Sequence, residues 1–150
     1  MTQYPIGIDC VWIASDRDGH VGAFISAGAG PIPAAGFDSD QIPIEDIETR
    51  LCQLPIVSSA HLLATVRSPA SFVDLAERGL FVYDWIDAHR SSRDATCMYE
   101  PVAVPAMPLR SDQLPNDLHI LADELRLSAV RFGRETSVDI GSLLTCVDAG

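Results

Sequence analysis

The sequence contains no lysine, so all ten of its positively charged side chains are arginines. Against these stand 21 acidic residues, which give a formal net charge of −11 at pH 7. A surface of this sign repels nucleic-acid phosphates and anionic membranes. It attracts a basic protein and speeds the encounter with it. We therefore expect a basic protein partner, and neither nucleic acid nor membrane; the alternative is that the acidity serves only solubility.

Long apolar runs and close cysteine pairs are also missing. No apolar run approaches the length that spans a bilayer. The first residues show no basic region followed by an apolar stretch, as a secretory signal would, so we expect a cytoplasmic protein. Because the chain has no CxxC pair, we interpret the cysteines as reduced core residues rather than zinc ligands. The alternative is a disulfide in an exported protein. They are Cys10, Cys52, Cys97 and Cys146.

The familiar motifs of cofactor binding and catalysis are absent. A phosphate-binding loop of the G-x-x-x-x-G-K-[ST] type needs a lysine. Gly28-Ala29-Gly30 is followed by Pro33 where a dinucleotide loop has its third glycine. No H-x-x-x-H or G-x-S-x-G spacing occurs. We therefore predict no cofactor and no catalytic residue from motifs, while a carboxylate pair brought together by the fold stays open.

A β-hairpin is predicted at Asp18-Gly19, a turn dipeptide that lies between two apolar runs. With these two residues as the turn, Ala14 pairs with Ala23 and Trp12 with Ile25. Both faces of the hairpin are then apolar away from the turn. We expect the hairpin to lie inside a sheet that is covered on both sides.

The acidic segment Asp16–His20 also has some likeness to a calcium loop. An EF-hand reads D-x-[DN]-x-[DN]-G and has a glutamate six residues after the glycine. Here Gly19 directly follows the second aspartate, and the residue six places later is Ile25. We interpret the segment as a turn and predict no metal site.

The rest of the chain alternates helical and strand patterns, with apolar residues at the spacing of each. Helices are expected at about 43–54, 68–79 and 115–126. Strands are expected at about 60–66, 80–86, 127–132 and 137–140. Three prolines confine residues 99–108 to an edge strand at most. We predict one α+β domain over residues 1–150, with an antiparallel or mixed sheet that starts with a β-hairpin and about three helices packed on it.

Two features could serve a function or only the fold. The loop containing Asp87, His89 and Arg90 brings an acid, an imidazole and a guanidinium together. With Asp16 and His20 at the hairpin tip, it is the candidate site of an enzyme of unrecognised type. Such an enzyme needs a deep pocket with convergent polar groups. The second feature is an aromatic stripe, interpreted as the core face of a strand rather than a partner-binding face. It consists of Phe81, Tyr83 and Trp85.

The N-terminal segment resembles the opening of small bacterial immunity-type proteins, which accompany polymorphic or contact-dependent toxins. The resemblance rests on Val11–Asp16, Asp18–Phe24 and Gly30–Pro33. It implies a small acidic cytoplasmic protein that binds a cognate toxin domain and blocks its active site. Electrostatic complementarity would place the basic toxin surface on the acid-rich stretch after the hairpin. The expected partner-binding residues are Asp38, Asp40, Glu45, Asp46 and Glu48.

Overall fold

The computed structural model describes residues 10–26, 42–63, 70–84, 98–128, 130–133 and 138–139. They form an α+β fold with a mixed sheet, an opening β-hairpin and three helices, which confirms the predicted fold class. The strands are β1 Val11–Asp16, β2 Val21–Ile25, β3 Ala60–Leu62, β4 Phe81–Asp84, β5 Met98–Pro105, β6 Arg126–Leu127 and β7 Val138–Asp139. The helices are α1 Ile44–Leu51, α2 Ala70–Ala76 and α3 Asn116–Glu124.

The sheet has the strand order β3-β5-β4-β2-β1-β6, and β7 pairs with β5. The pairs β2–β4 and β1–β6 are parallel, while β1–β2, β4–β5 and β3–β5 are antiparallel. Every residue of β1 and β2 is buried, so the hairpin lies in the middle of the sheet and is covered on both faces, as predicted.

The hairpin turn has three residues, and the predicted register was wrong by one position. Trp12 pairs with Phe24 and Ser15 with Val21. The loop between Asp16 and His20 ends at Gly19, whose φ of 85° lies in the left-handed region that favours glycine. A slip of one residue turns a whole strand over. The side chain of Phe24 therefore shares a face with Trp12 rather than with Val11 and Ile13.

Strand β5 lies between β3 and β4, so the prediction of an edge strand was wrong. Its two prolines lie at positions where strands tolerate proline, an irregularity of the ladder and a strand end. Pro101 lies at the register shift opposite Val82 and Tyr83, and Pro105 is the last residue of the strand. The predicted strand over 127–132 was also wrong in extent. Among the residues described here, strand pairing is confined to Arg126–Leu127, and Val130 and Phe132 are buried outside any strand.

The three helices form one connected layer. Ile44, Ile47 and Leu51 are the buried side chains of α1, which packs against β1. Helix α3 packs on the same strand, and Ser15 Oγ donates a hydrogen bond to the carbonyl oxygen of Ala122. Two arginines join the helices to one another. Arg50 of α1 binds Asp117 of α3, and Arg78 after α2 donates to the carbonyl oxygens of Cys52 and Leu54 after α1.

The other face of the sheet is aromatic. The rings of Trp12 and Phe24 stack at 4.2 Å, and those of Phe24 and Tyr83 at 5.0 Å. The indole of Trp12 donates a hydrogen bond to the hydroxyl of Tyr99. Phe81 and Tyr83 are buried here, which confirms them as core residues, while Trp85 lies outside the described residues. This cluster therefore holds the sheet together and offers no open face to a partner.

The described cysteines differ in their surroundings. Cys10 is buried, as expected, whereas Cys52 is exposed just beyond α1. Partial burial raises the pKa of the Cys52 thiol, because it disfavours the thiolate. Cys97 and Cys146 lie outside the described residues.

Candidate functional site

Helix α1 carries the described part of the predicted partner-binding surface. Glu45, Asp46 and Glu48 are all exposed, because the apolar residues of the helix occupy its opposite side. We call these three residues the acidic face. Two of them also lie in the first helical turn, where negative charge stabilises the helix. Asp38 and Asp40 lie outside the described residues.

The charge of the acidic face is not compensated by any arginine that the structure describes. The arginine of α1, Arg50, is turned toward α3. Its guanidinium lies 2.8 Å from Oδ1 of Asp117 and 3.2 Å, through Nε, from Oδ2. This hydrogen bonding lowers the pKa of the Asp117 carboxyl. The three carboxylates of the acidic face therefore remain available to a cation from outside.

An exposed apolar patch follows α1 along the chain. It consists of Ile56, Val57 and Met107, whose exposed fractions are 62%, 46% and 67%. Val57 and Met107 line a shallow cavity of about 140 Å³, and the amide of Met107 donates to Ser58 Oγ. We call these three residues the apolar patch. Sequence reasoning missed it, although two adjacent aliphatic residues directly after Pro55 were a visible signal.

Asp16, which was grouped with His20 as part of a candidate enzyme site, has contacts that stabilise the hairpin turn. Its carboxylate is fully buried. One oxygen accepts hydrogen bonds from the amides of Asp18 and His20, and the other from the amide of Phe132, each at 2.9 Å. His20 Nδ1 lies 3.8 Å from the second oxygen. The carboxylate therefore closes the turn and joins it to segment 130–133.

The same tip brings three potential metal ligands together. Atoms of Asp16, Asp18 and His20 lie within 4.8 Å of one another. However, both oxygens of Asp16 are engaged by backbone amides, and Asp18 Oδ2 is 2.8 Å from Nε of Arg131. An ion would have to break these contacts, so the donor set does not favour a metal site.

The predicted loop site of Asp87, His89 and Arg90 lies outside the described residues. A polar cleft of about 300 Å³ does lie beside the hairpin turn. It is lined by residues that the sequence reasoning did not group, among them Arg17, Arg110, Arg126, His119 and Asp123. They come from distant parts of the chain, so no local pattern could have joined them.

Comparison with protein-family models, curated proteins and solved structures yielded no match to this chain. None of the helices in the described part of the chain combines the length and apolarity that a bilayer span requires.

Proposed function

We propose that this protein binds a basic protein partner through the acidic face of α1. The observation that carries the proposal is the set of three exposed carboxylates on one helix, without a pairing arginine among the described residues. The net charge of −11 adds a long-range attraction for a basic surface. Complementary charge of this kind raises the association rate and orients the partner.

The apolar patch supplies the contact that charge alone does not. Interfaces usually derive affinity from a few desolvated apolar or aromatic side chains, surrounded by a polar rim. Ile56 and Val57 lie in the segment that follows α1, which ends at Leu51, so a partner would have to extend beyond the end of the helix to cover them. Met107 adds an unbranched and adaptable side chain, of the kind that fits irregular surfaces.

The partner, in this proposal, is a bacterial toxin domain, and the protein is a cytoplasmic immunity protein. The resemblance of the hairpin segment to immunity-type proteins supports this assignment. A toxin that acts on an anionic substrate needs a basic surface. An acidic helix placed over that surface would cover the active site and neutralise the toxin.

The test is charge reversal at the acidic face, with a control that changes the charge equally elsewhere. Glu45→Arg/Asp46→Arg is compared with Asp112→Arg/Glu124→Arg, since all four residues are exposed and both pairs raise the net charge by the same amount. The partner is captured from the cells in which the protein occurs and is then purified. Association rates and affinities are measured at low and high salt.

We expect the α1 variant to associate about tenfold more slowly at low salt, with the difference shrinking as salt rises, because exposed charges are screened. The control variant should lose much less. Equal losses in the two variants would assign the effect to net charge rather than to the acidic face. Two results would refute the immunity assignment: a captured partner that is not basic, or a captured toxin whose activity is unchanged when this protein is bound to it.

A further inference from the structure

The polar cleft of about 300 Å³ lies outside the acidic face and is built from three elements. Its walls are the hairpin turn, the segment that begins the 3-10 helix at Ser111–Gln113, and the C-terminal end of α3 with β6. This volume is at the lower end of the range of small-molecule pockets. The cleft is thus large enough for a small ligand and too small for a peptide segment.

Three guanidinium groups and three carboxylates line this cleft; the carboxylates belong to Asp18, which pairs with Arg131, and to Asp112 and Asp123. Arg17 comes from the turn, Arg110 precedes the 3-10 helix, and Arg126 begins β6. Within the described ranges, the side chains of Arg17 and Arg110 make no hydrogen bond or ion pair. Arg126 forms an ion pair with Asp123, in which Nη2 lies 3.8 Å from Oδ1, too far for a hydrogen bond.

The other arginines that the structure describes are all engaged. Arg50 binds Asp117, Arg78 donates to backbone carbonyls, and Arg131 pairs with Asp18. Arg17 and Arg110 are therefore the arginines without a partner among the described residues, and both line the cleft. Unpaired guanidinium groups that line one cleft from separate elements are suited to binding an anion.

The walls of the cleft are held in place by hydrogen bonds. The amide of Ser111 donates to the carbonyl of Gly19 at 2.8 Å, and the carbonyl of Ser111 lies 2.7 Å from Nδ1 of His119. Because a carbonyl only accepts, this contact places a proton on Nδ1. A Cβ built on Gly19 would lie 3.2 Å from Arg110 Nη2, so the guanidinium of Arg110 rests against the turn.

One acceptor in the cleft lacks a donor. Asp123 Oδ1 is buried and has no hydrogen-bond partner in the described part of the chain. The other oxygen, Oδ2, lies 3.4 Å from Nε2 of His119. Buried acceptors are usually satisfied. Oδ1 itself is closed to solvent, but the Asp123 side chain is 37% exposed, so its carboxylate can accept a hydrogen bond from a hydroxyl or amino group in the cleft.

We propose that the cleft binds a small phosphate ester, with its phosphate on Arg17, Arg110 and Arg126 and a hydroxyl donor on Asp123. Three guanidinium groups match the two charges and several oxygens of a phosphate, whereas a lone carboxylate would engage them incompletely. The hydroxyl of the ester donates to the exposed part of the Asp123 carboxylate. This site is separate from the partner surface of α1, and its failure would leave the proposed function untouched.

The experiment uses the full chain, labelled with ¹⁵N and titrated with inorganic phosphate, glucose 6-phosphate and free glucose. Amide shifts of Gly19, Ser111 and Arg126 report on the cleft. The variants are Arg17→Gln, Arg110→Gln and Asp123→Asn. Arg110→Lys retains the charge without the forked geometry. Arg78→Gln is the control, because it removes one arginine away from the cleft, and circular dichroism verifies that each variant folds.

We expect saturable binding of both phosphates, with glucose 6-phosphate binding more tightly, and no binding of glucose. Arg17→Gln and Arg110→Gln should each weaken phosphate binding by about tenfold, the loss typical of a hydrogen bond to a charged group. Arg110→Lys should recover part of that loss, and Arg78→Gln should bind as the wild type does. Asp123→Asn should weaken glucose 6-phosphate but not inorganic phosphate. Absence of saturable shifts, binding of free glucose, or equal weakening by Arg78→Gln would overturn the proposal.

Discussion

Replacement of Asp16 by asparagine should destabilise the fold far more than the same change at Asp18. The side chain of Asp16 is fully buried, and its carboxylate accepts three backbone hydrogen bonds. Asparagine has one acceptor oxygen and one donor nitrogen. If its oxygen keeps the amides of Asp18 and His20, its NH₂ group must face the amide of Phe132.

The magnitude follows from the bond that is lost. A hydrogen bond to a charged group contributes about 1.5–3 kcal/mol, and a buried donor left unpaired costs about 1–3 kcal/mol. These two terms partly describe the same loss, so we expect Asp16→Asn to lower the free energy of unfolding by about 2–3 kcal/mol. Asp16→Ala removes all three bonds and should cost about 3–5 kcal/mol, the range for breaking one side of a buried charged contact. Typical domains have only about 5–15 kcal/mol to lose.

Urea denaturation is the assay, followed by tryptophan fluorescence and far-UV circular dichroism. Trp12 is fully buried against Phe24, so its emission reports on the sheet. Asp18→Asn is the matched control, since Asp18 pairs with Arg131, whose side chain is 67% exposed. Such an exposed pair is worth at most about 1 kcal/mol.

The difference between the two variants depends on the contacts of one carboxylate. If Asp16→Asn and Asp18→Asn lower the free energy of unfolding equally, the buried hydrogen bonds of Asp16 do not stabilise the turn as we infer. Equal urea dependence in all variants is required for the comparison, because a changed slope would mean a changed unfolded or native state.

Two further predictions concern the aromatic face. Burial raises the pKa of the Tyr83 phenol above its ordinary value, so the folded state keeps its proton where the unfolded chain loses it. The stability that Tyr83 contributes is therefore complete below the unfolded pKa of about 10 and declines above it, by up to about 1.4 kcal/mol per pH unit. In urea titrations at rising pH, the free energy of unfolding of Tyr83→Phe should decline less steeply than that of the wild type. A Cβ on Gly22 would lie 2.9 Å from the ring of Phe132. Gly22→Ala should thus cost about 1–3 kcal/mol in urea denaturation, and Phe132→Leu in the same chain should restore part of it; simple additivity would contradict the steric explanation.

Local patterns were sufficient to predict the helices and the position of the hairpin. The apolar spacing in α1 and α3 marks the residues that the structure buries, such as Ile47 and Leu121. Gly79, the last residue of the second predicted helix, has a φ of 91° and accepts a hydrogen bond from the amide of Leu109. These signals act over one or two turns of chain, so they can be recognised without tertiary context.

The strand pairing was harder to predict from the sequence, because a difference of one residue in the turn changes the register of the whole hairpin. A two-residue and a three-residue turn both fit Asp18-Gly19, yet only the latter places Phe24 beside Trp12. The prolines of β5 suggested an edge strand, but Pro101 lies at a register shift of the β4–β5 ladder. Register and strand order depend on partners far along the chain, which periodicity does not reveal.

One of the two candidate sites could be recognised from local sequence patterns and the other could not. The acidic face could be predicted because α1 is short, amphipathic and locally determined, and its carboxylates lie opposite its apolar residues. The cleft could not, since Arg17, Arg110 and Arg126 are separated by most of the chain. The sequence by itself determined the helices, the hairpin position and the sign of the surface, because these follow from neighbouring residues and from total charge. Only the tertiary structure decided the register, the interior place of β5 and the convergence of three arginines, because long-range strand pairing and helix packing bring together residues that no local pattern relates.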